Sequence, residues 1–212
     1  MRNSAPPIRI EKNPTIEPID PILLAAYQAY RAGNYVAAGE LYTSVLNKAG
    51  GGPSRDALLG MAAVEQQQSN DVLALRYYGQ VLTLDPQDPI AHAGLYALLD
   101  NSDLEGSEHR LKALLSRHPE AAPLYFTLGN LYARQSRWSE AQQVYFSASA
   151  LEPDNAEFAF NLAVSLDHLG QRPLSAQYYR RALQLDRADR LSVNTGFDKA
   201  SIDQRLHQLS GP

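Results

Sequence analysis

The side chains that could do chemistry are few and dispersed. Five histidines, His92, His109, His118, His168 and His207, sit in different stretches of the chain, and none has a partner at metal-ligand spacing. There is no glycine-rich phosphate loop, no HExxH and no GxSxG, and the absence of cysteine removes thiolate nucleophiles and disulfides together. Asp167 and His168 are the one adjacent acid and histidine. Neighbours in a helix point about 100° apart, so these two cannot form a hydrogen-bonded dyad with each other. The expectation is a non-enzyme with no cofactor and no metal, whose histidines pack or face water and whose function is recognition.

Composition narrows the class of partner. The formal net charge of -4 leaves no basic face to displace counterions from a phosphate backbone, so nucleic acid is not expected. No apolar window is long enough to cross a bilayer, so no direct membrane insertion is expected of these residues. A cysteine-free chain fits a reducing cytosol and an unstapled periplasmic domain equally well. Residues 1–19 carry prolines too densely for a helix and are too polar for the apolar core of a signal peptide. They read as an extended linker: either a disordered tail, or a strap that docks through Ile8, Ile10 and Ile16 and supports self-association.

The rest of the chain must position whatever recognises the partner, and it repeats. Between Ala122 and Asp189, Phe126 pairs with Phe160, Leu128 with Leu162, Gly129 with Ala163, Tyr145 with Tyr179 and Ala148 with Ala182, a period of 34 residues. Large residues recur with large and small with small. Such a period marks a solenoid, in which each unit buries its apolar face against its neighbours. Leu128, Gly129, Tyr132, Trp138, Ala141, Tyr145, Ala148 and Pro153 match the L-G-x-x-Y, Y/W, A, Y/F, A and P signature of the tetratricopeptide repeat, and the chain resembles that family.

The resemblance implies an all-α, right-handed α-α superhelical solenoid of about five tetratricopeptide repeats with a C-terminal capping helix. Its units are expected at about 19–54, 55–87, 88–121, 122–155 and 156–189, with residues 190–212 forming the cap and tail. Asp20-Pro21 reads as a helix start, and Gly33-Asn34 as the turn inside the first unit. Consecutive glycines at 50–52 predict a flexible joint after that unit. The third unit is degenerate, because Leu95-Tyr96 stands where a large-then-small pair belongs. After the array, Ile202, Leu206 and Leu209 share one face of a final amphipathic helix, the polar-backed end that a solenoid needs.

In the family the first helices of successive repeats line a concave groove. Carried over, the resemblance places Phe126, Asn130, Arg134, Glu157, Phe160, Asn161, Val164, Asp167 and His168 in that groove, with Tyr27, Tyr30 and Arg31 as a secondary part of it. Asn130 and Asn161 fall at two of the positions of the carboxylate clamp found in co-chaperones. The clamp's first lysine is replaced by Phe126, and Leu191 and Thr195 stand where its further basic residues belong. A terminal carboxylate would lack charge-assisted partners there, so the expected partner is an internal or apolar protein segment. Two readings stay open at each pair. The asparagines either hold an extended backbone or tie neighbouring helices together. The phenylalanines either form an apolar patch or close the seam between units.

The functional expectation is a non-catalytic protein-interaction scaffold. RWSEAQQVYF, NLAVSLDHLGQ and the proline-rich lead-in are also similar to tetratricopeptide proteins of type IV pilus biogenesis and type II secretion in bacteria. That similarity implies assembly of an envelope machine, on the periplasmic side of the inner membrane if the chain is a fragment of a longer, anchored protein and in the cytoplasm otherwise. The alternative is a cytosolic co-chaperone or regulatory adaptor.

Overall fold

The computed structural model describes residues 20–48, 54–99, 103–188 and 197–210. The proline-rich linker, the triple glycine, Leu191 and Thr195 lie outside the described residues. Eleven helices follow one another among the described residues, with no strand. They are α1 (Pro21–Arg31), α2 (Tyr35–Leu46), α3 (Arg55–Gln67), α4 (Asp71–Leu84), α5 (Pro89–Leu98), α6 (Leu104–Arg117), α7 (Ala122–Arg134), α8 (Trp138–Leu151), α9 (Ala156–His168), α10 (Arg172–Ala188) and α11 (Lys199–Ser210).

The helix starts follow from side-chain caps. Asp20 Oδ1 accepts from the Ile22 N–H at 2.8 Å ahead of Pro21, and Asp88 Oδ1 accepts from the Ala91 N–H at 2.8 Å ahead of Pro89. Each satisfies a donor that the first turn would leave unpaired, and proline at that place forfeits nothing. Asn34, Ser54, Asp103 and Asn155 cap α2, α3, α6 and α9 in the same way.

The turns inside four units share one geometry. Gly33, Ser69, Ser136 and Gly170 have φ of 74°, 61°, 58° and 70°. Directly after each, the N–H of Asn34, Asn70, Arg137 or Gln171 donates to the carbonyl of Ala29, Glu65, Tyr132 or Leu166. This left-handed closure caps the preceding helix and reverses the chain within three residues. Glycine accepts that conformation freely, whereas serine does so at a steric cost.

Small residues let the two helices of a unit approach. Ala26, Ala62 and Ala163 on the first helices and Ala38, Ala74 and Ala141 on the second have no exposed surface. Tyrosines fill the space beside them. Tyr42 of α2 covers Gly60 of α3, where an added Cβ would fall 2.3 Å from the ring, and Tyr78 of α4 covers Gly94 of α5 in the same manner. The second helix of one unit is thereby locked over the first helix of the next.

The third unit departs from this scheme. Tyr96 occupies the place of the small residue, α5 is only 10 residues long, and α5 barely touches α6. A ring where an alanine belongs holds the two helices apart. Helix α6 is secured to the fourth unit instead, through Glu108. That carboxylate accepts from Arg137 Nη1 at 2.6 Å, Lys112 Nζ at 2.6 Å and the Tyr132 hydroxyl at 3.0 Å. The Arg137 guanidinium lies over the Tyr132 ring at 4.3 Å, adding a cation–π contact.

Candidate protein-recognition groove

First helices approach one another along the array: α1 meets α3 and α5 meets α7, while no two second helices meet to that extent among the described residues. The first helices therefore form the inner wall of a curved stack, where the residues expected in a groove can be placed one by one.

In the fourth unit, Phe126 is half-buried. Its ring centroid lies 4.9 Å from Phe158 of α9 and 5.8 Å from Tyr145 of α8. It closes the seam between units and leaves part of its face open. One turn further, Asn130 Oδ1 accepts from the Tyr145 hydroxyl at 2.7 Å. The Asn130 amide nitrogen donates to no group among the described residues. Arg134 is exposed on the same wall, and its charge acts on the Tyr145 phenol.

The fifth unit continues this wall. Asn161 Nδ2 donates to the Glu157 carbonyl at 3.0 Å, and its Oδ1 has no donor among the described residues. Phe160 is half-buried, with Tyr179 at 6.0 Å and Phe197, from beyond the array, stacked at 4.8 Å. Glu157 keeps contact with solvent at its own surface, yet the surrounding wall raises its carboxyl above the ordinary range by desolvation. Burial raises the phenols of Tyr30 in α1 and Tyr145 in α8, and the Glu157 charge adds to both shifts.

Val164, Asp167 and His168 are brought together separately, around a cavity of about 270 Å³ shared with Tyr179 and Arg205. Arg205 of α11 forks onto Asp167, with Nε 2.6 Å from Oδ2 and Nη2 2.7 Å from Oδ1. The ring of His168 stacks on Trp138 at 3.6 Å and 2°. Each member of the Asp167-His168 pair thus faces a different partner. At the opposite end, Tyr27 is half-exposed with the Arg31 guanidinium 5.8 Å from its ring, and Tyr30 packs on Tyr35 at 5.6 Å and bonds to Gln67. Arg205 was not among the expected groove residues. It lies on the polar side of an amphipathic helix, and no spacing rule links it to Asp167, 38 residues earlier.

Residues 93–145 and 126–190 match the family model described as tetratricopeptide repeat. The fold is a tetratricopeptide-repeat solenoid. It is similar to the crystal structure of TTC0263, a thermophilic TPR protein of Thermus thermophilus. That match has a TM-score of 0.66 and 21% identity, covering 89% of this chain and 96% of that one. A structure of MamA from Desulfovibrio magneticus RS-1 matches with a TM-score of 0.49 and 17% identity, over 79% of this chain and 94% of that one. No curated protein matches the sequence.

Proposed function

We propose that the chain is a non-catalytic scaffold that holds an extended segment of another protein along its inner wall, chiefly between Phe126 and His168. The observation that carries this reading is the pair of half-engaged amides. Among the described residues, Asn130 keeps an unengaged donor and Asn161 an unengaged acceptor on adjoining units, beside the open parts of Phe126 and Phe160. A donor and an acceptor so disposed pair with a peptide backbone without reading its side chains, while the rings supply apolar contact. Glu157 places an exposed carboxyl beside Asn161 on the same wall, which favours an internal segment over a terminal carboxylate there, while the Asp167 charge is already met by Arg205.

The similarity of RWSEAQQVYF and NLAVSLDHLGQ to envelope-assembly proteins extends the proposal to a bacterial type IV pilus or secretion machine. The test is capture of partners by the wild type and by the double variant Asn130→Ala/Phe126→Ala. Loss of a specific partner from the double variant is expected. Equal retention of every partner refutes the groove as drawn.

A further inference from the structure

A second recess opens on a different part of the array, between α2 and α3. Its volume is about 470 Å³, larger than the cavity beside Asp167. Met61 and Val64 form its floor, 6% and 1% exposed, and Val36 stands at its rim, 70% exposed. Gly39 borders the recess. A Cβ there would reach Val64 Cγ1 at 3.7 Å, an ordinary van der Waals contact, so the open volume is where a side chain at 39 would lie.

The polar lining has one sign. Glu40 and Glu65 both border the recess, and neither has an ion-pair partner among the described residues. Glu65 accepts from the Asn70 amide at 2.9 Å, and Glu40 faces solvent. An apolar floor bordered by a glycine and by two carboxylates without an ion-pair partner among the described residues is a shaped surface.

We infer that this recess is a second docking site, for a segment of a partner protein that sets an aliphatic side chain between two basic ones. The aliphatic group fills the space above Met61 and Val64, and the flanking cations meet Glu40 and Glu65. Polyanions are excluded by the same charges, which repel both a nucleic-acid backbone and an anionic membrane surface. The site is independent of the inner wall, so a partner seated here leaves the groove open. Two segments of one protein could then bind together, the second at the high effective concentration set by the first.

The experiment is an amide chemical-shift titration of the full ¹⁵N-labelled chain with the blocked tripeptide acetyl-Lys-Leu-Lys-amide. Acetyl-Glu-Leu-Glu-amide and acetyl-Lys-Gly-Lys-amide serve as controls. Saturable shifts are expected at amides in the first half of α2 and the second half of α3, with both controls at least about ten-fold weaker, the factor that the loss of one good contact gives. Gly39→Leu, which plugs the recess, and Glu40→Lys, a surface change that leaves packing alone, should each weaken the response at least as much with unchanged helical circular dichroism. Absence of a saturable shift at these amides at millimolar probe overturns the inference. So does an equal response to the glutamate peptide, or an unaltered response in Glu40→Lys.

Discussion

Glu108 is the point at which the irregular third unit is held to the rest of the array, and Glu108→Gln measures that attachment. Hydrogen bonding from Arg137, then from Lys112 and Tyr132, outweighs burial and holds the Glu108 carboxyl at about 2, against an ordinary 4.5. At about 1.4 kcal/mol per pKa unit, the gap sets a ceiling of about 3 kcal/mol. The Glu108 side chain is 17% exposed, but Arg137 is 33% and Lys112 56% exposed, so solvent screens part of the interaction. A loss of about 1.5–2 kcal/mol at neutral pH is therefore expected.

The pH dependence has a fixed sign. The folded-state pKa is depressed, so the stabilisation is complete above about 4.5 and disappears as pH falls through about 2. Urea unfolding of both proteins at pH 7 and near pH 2 should show curves that differ at the first and converge at the second. Because repeat arrays need not unfold in one step, amide exchange should be followed as well, and the α6 amides should lose protection first in the variant. A difference that persists unchanged at low pH would refute the reasoning. So would a loss of protection spread evenly over all units, because the attachment is local to α6 and the turn before α8.

Three further outcomes follow from the packing. Gly60→Ala drives a Cβ to 2.3 Å from the Tyr42 ring, so it should destabilise the first two units by about 1–3 kcal/mol in thermal melts, despite alanine's better helix propensity. Ser69→Gly and Ser136→Gly relieve left-handed serines at φ 61° and 58° and should each raise stability by roughly 0.5–1 kcal/mol, read as a shift in urea midpoint. Trp138 is the only tryptophan of the chain and stacks on His168 at 3.6 Å, so His168→Ala should change its fluorescence intensity and emission maximum. An unaltered spectrum would show that the stack does not persist in solution.

Much of the array was legible because solenoid packing writes itself locally. Alanine at the contact points, tyrosine beside them and capping residues before each helix all act within one unit or on its neighbour, so a period of 34 residues carries the fold. The third unit was legible as a defect for the same reason: Tyr96 breaks the small-residue rule at the place where α5 and α6 separate. What compensates for that defect was not legible. Glu108 and Arg137 are polar residues on different units, 29 residues apart, and no periodicity demands that they meet. Nor did composition reveal that two of the four left-handed turn residues are serines, since serine enters such turns only when the flanking helices over-determine the backbone.

The bond that Asn130 makes to Tyr145 does not preclude the proposed role of the groove asparagines in holding a backbone. Asn130 ties helices through its oxygen, which Tyr145 holds at 2.7 Å, and that bond fixes the direction in which its nitrogen is presented. A surface amide free to rotate would have to be ordered when a partner bound, whereas one already held by a buried tyrosine has lost that freedom on folding. The far end of the same wall is closed by a similar economy, since Arg205 and Phe197 already satisfy Asp167 and Phe160. On the proposed reading, a segment lying along the groove would meet a pre-set donor at the fourth unit and would have to compete with the C-terminal helix at the fifth, so Asn130 rather than Asp167 is where its binding should be most sensitive to substitution.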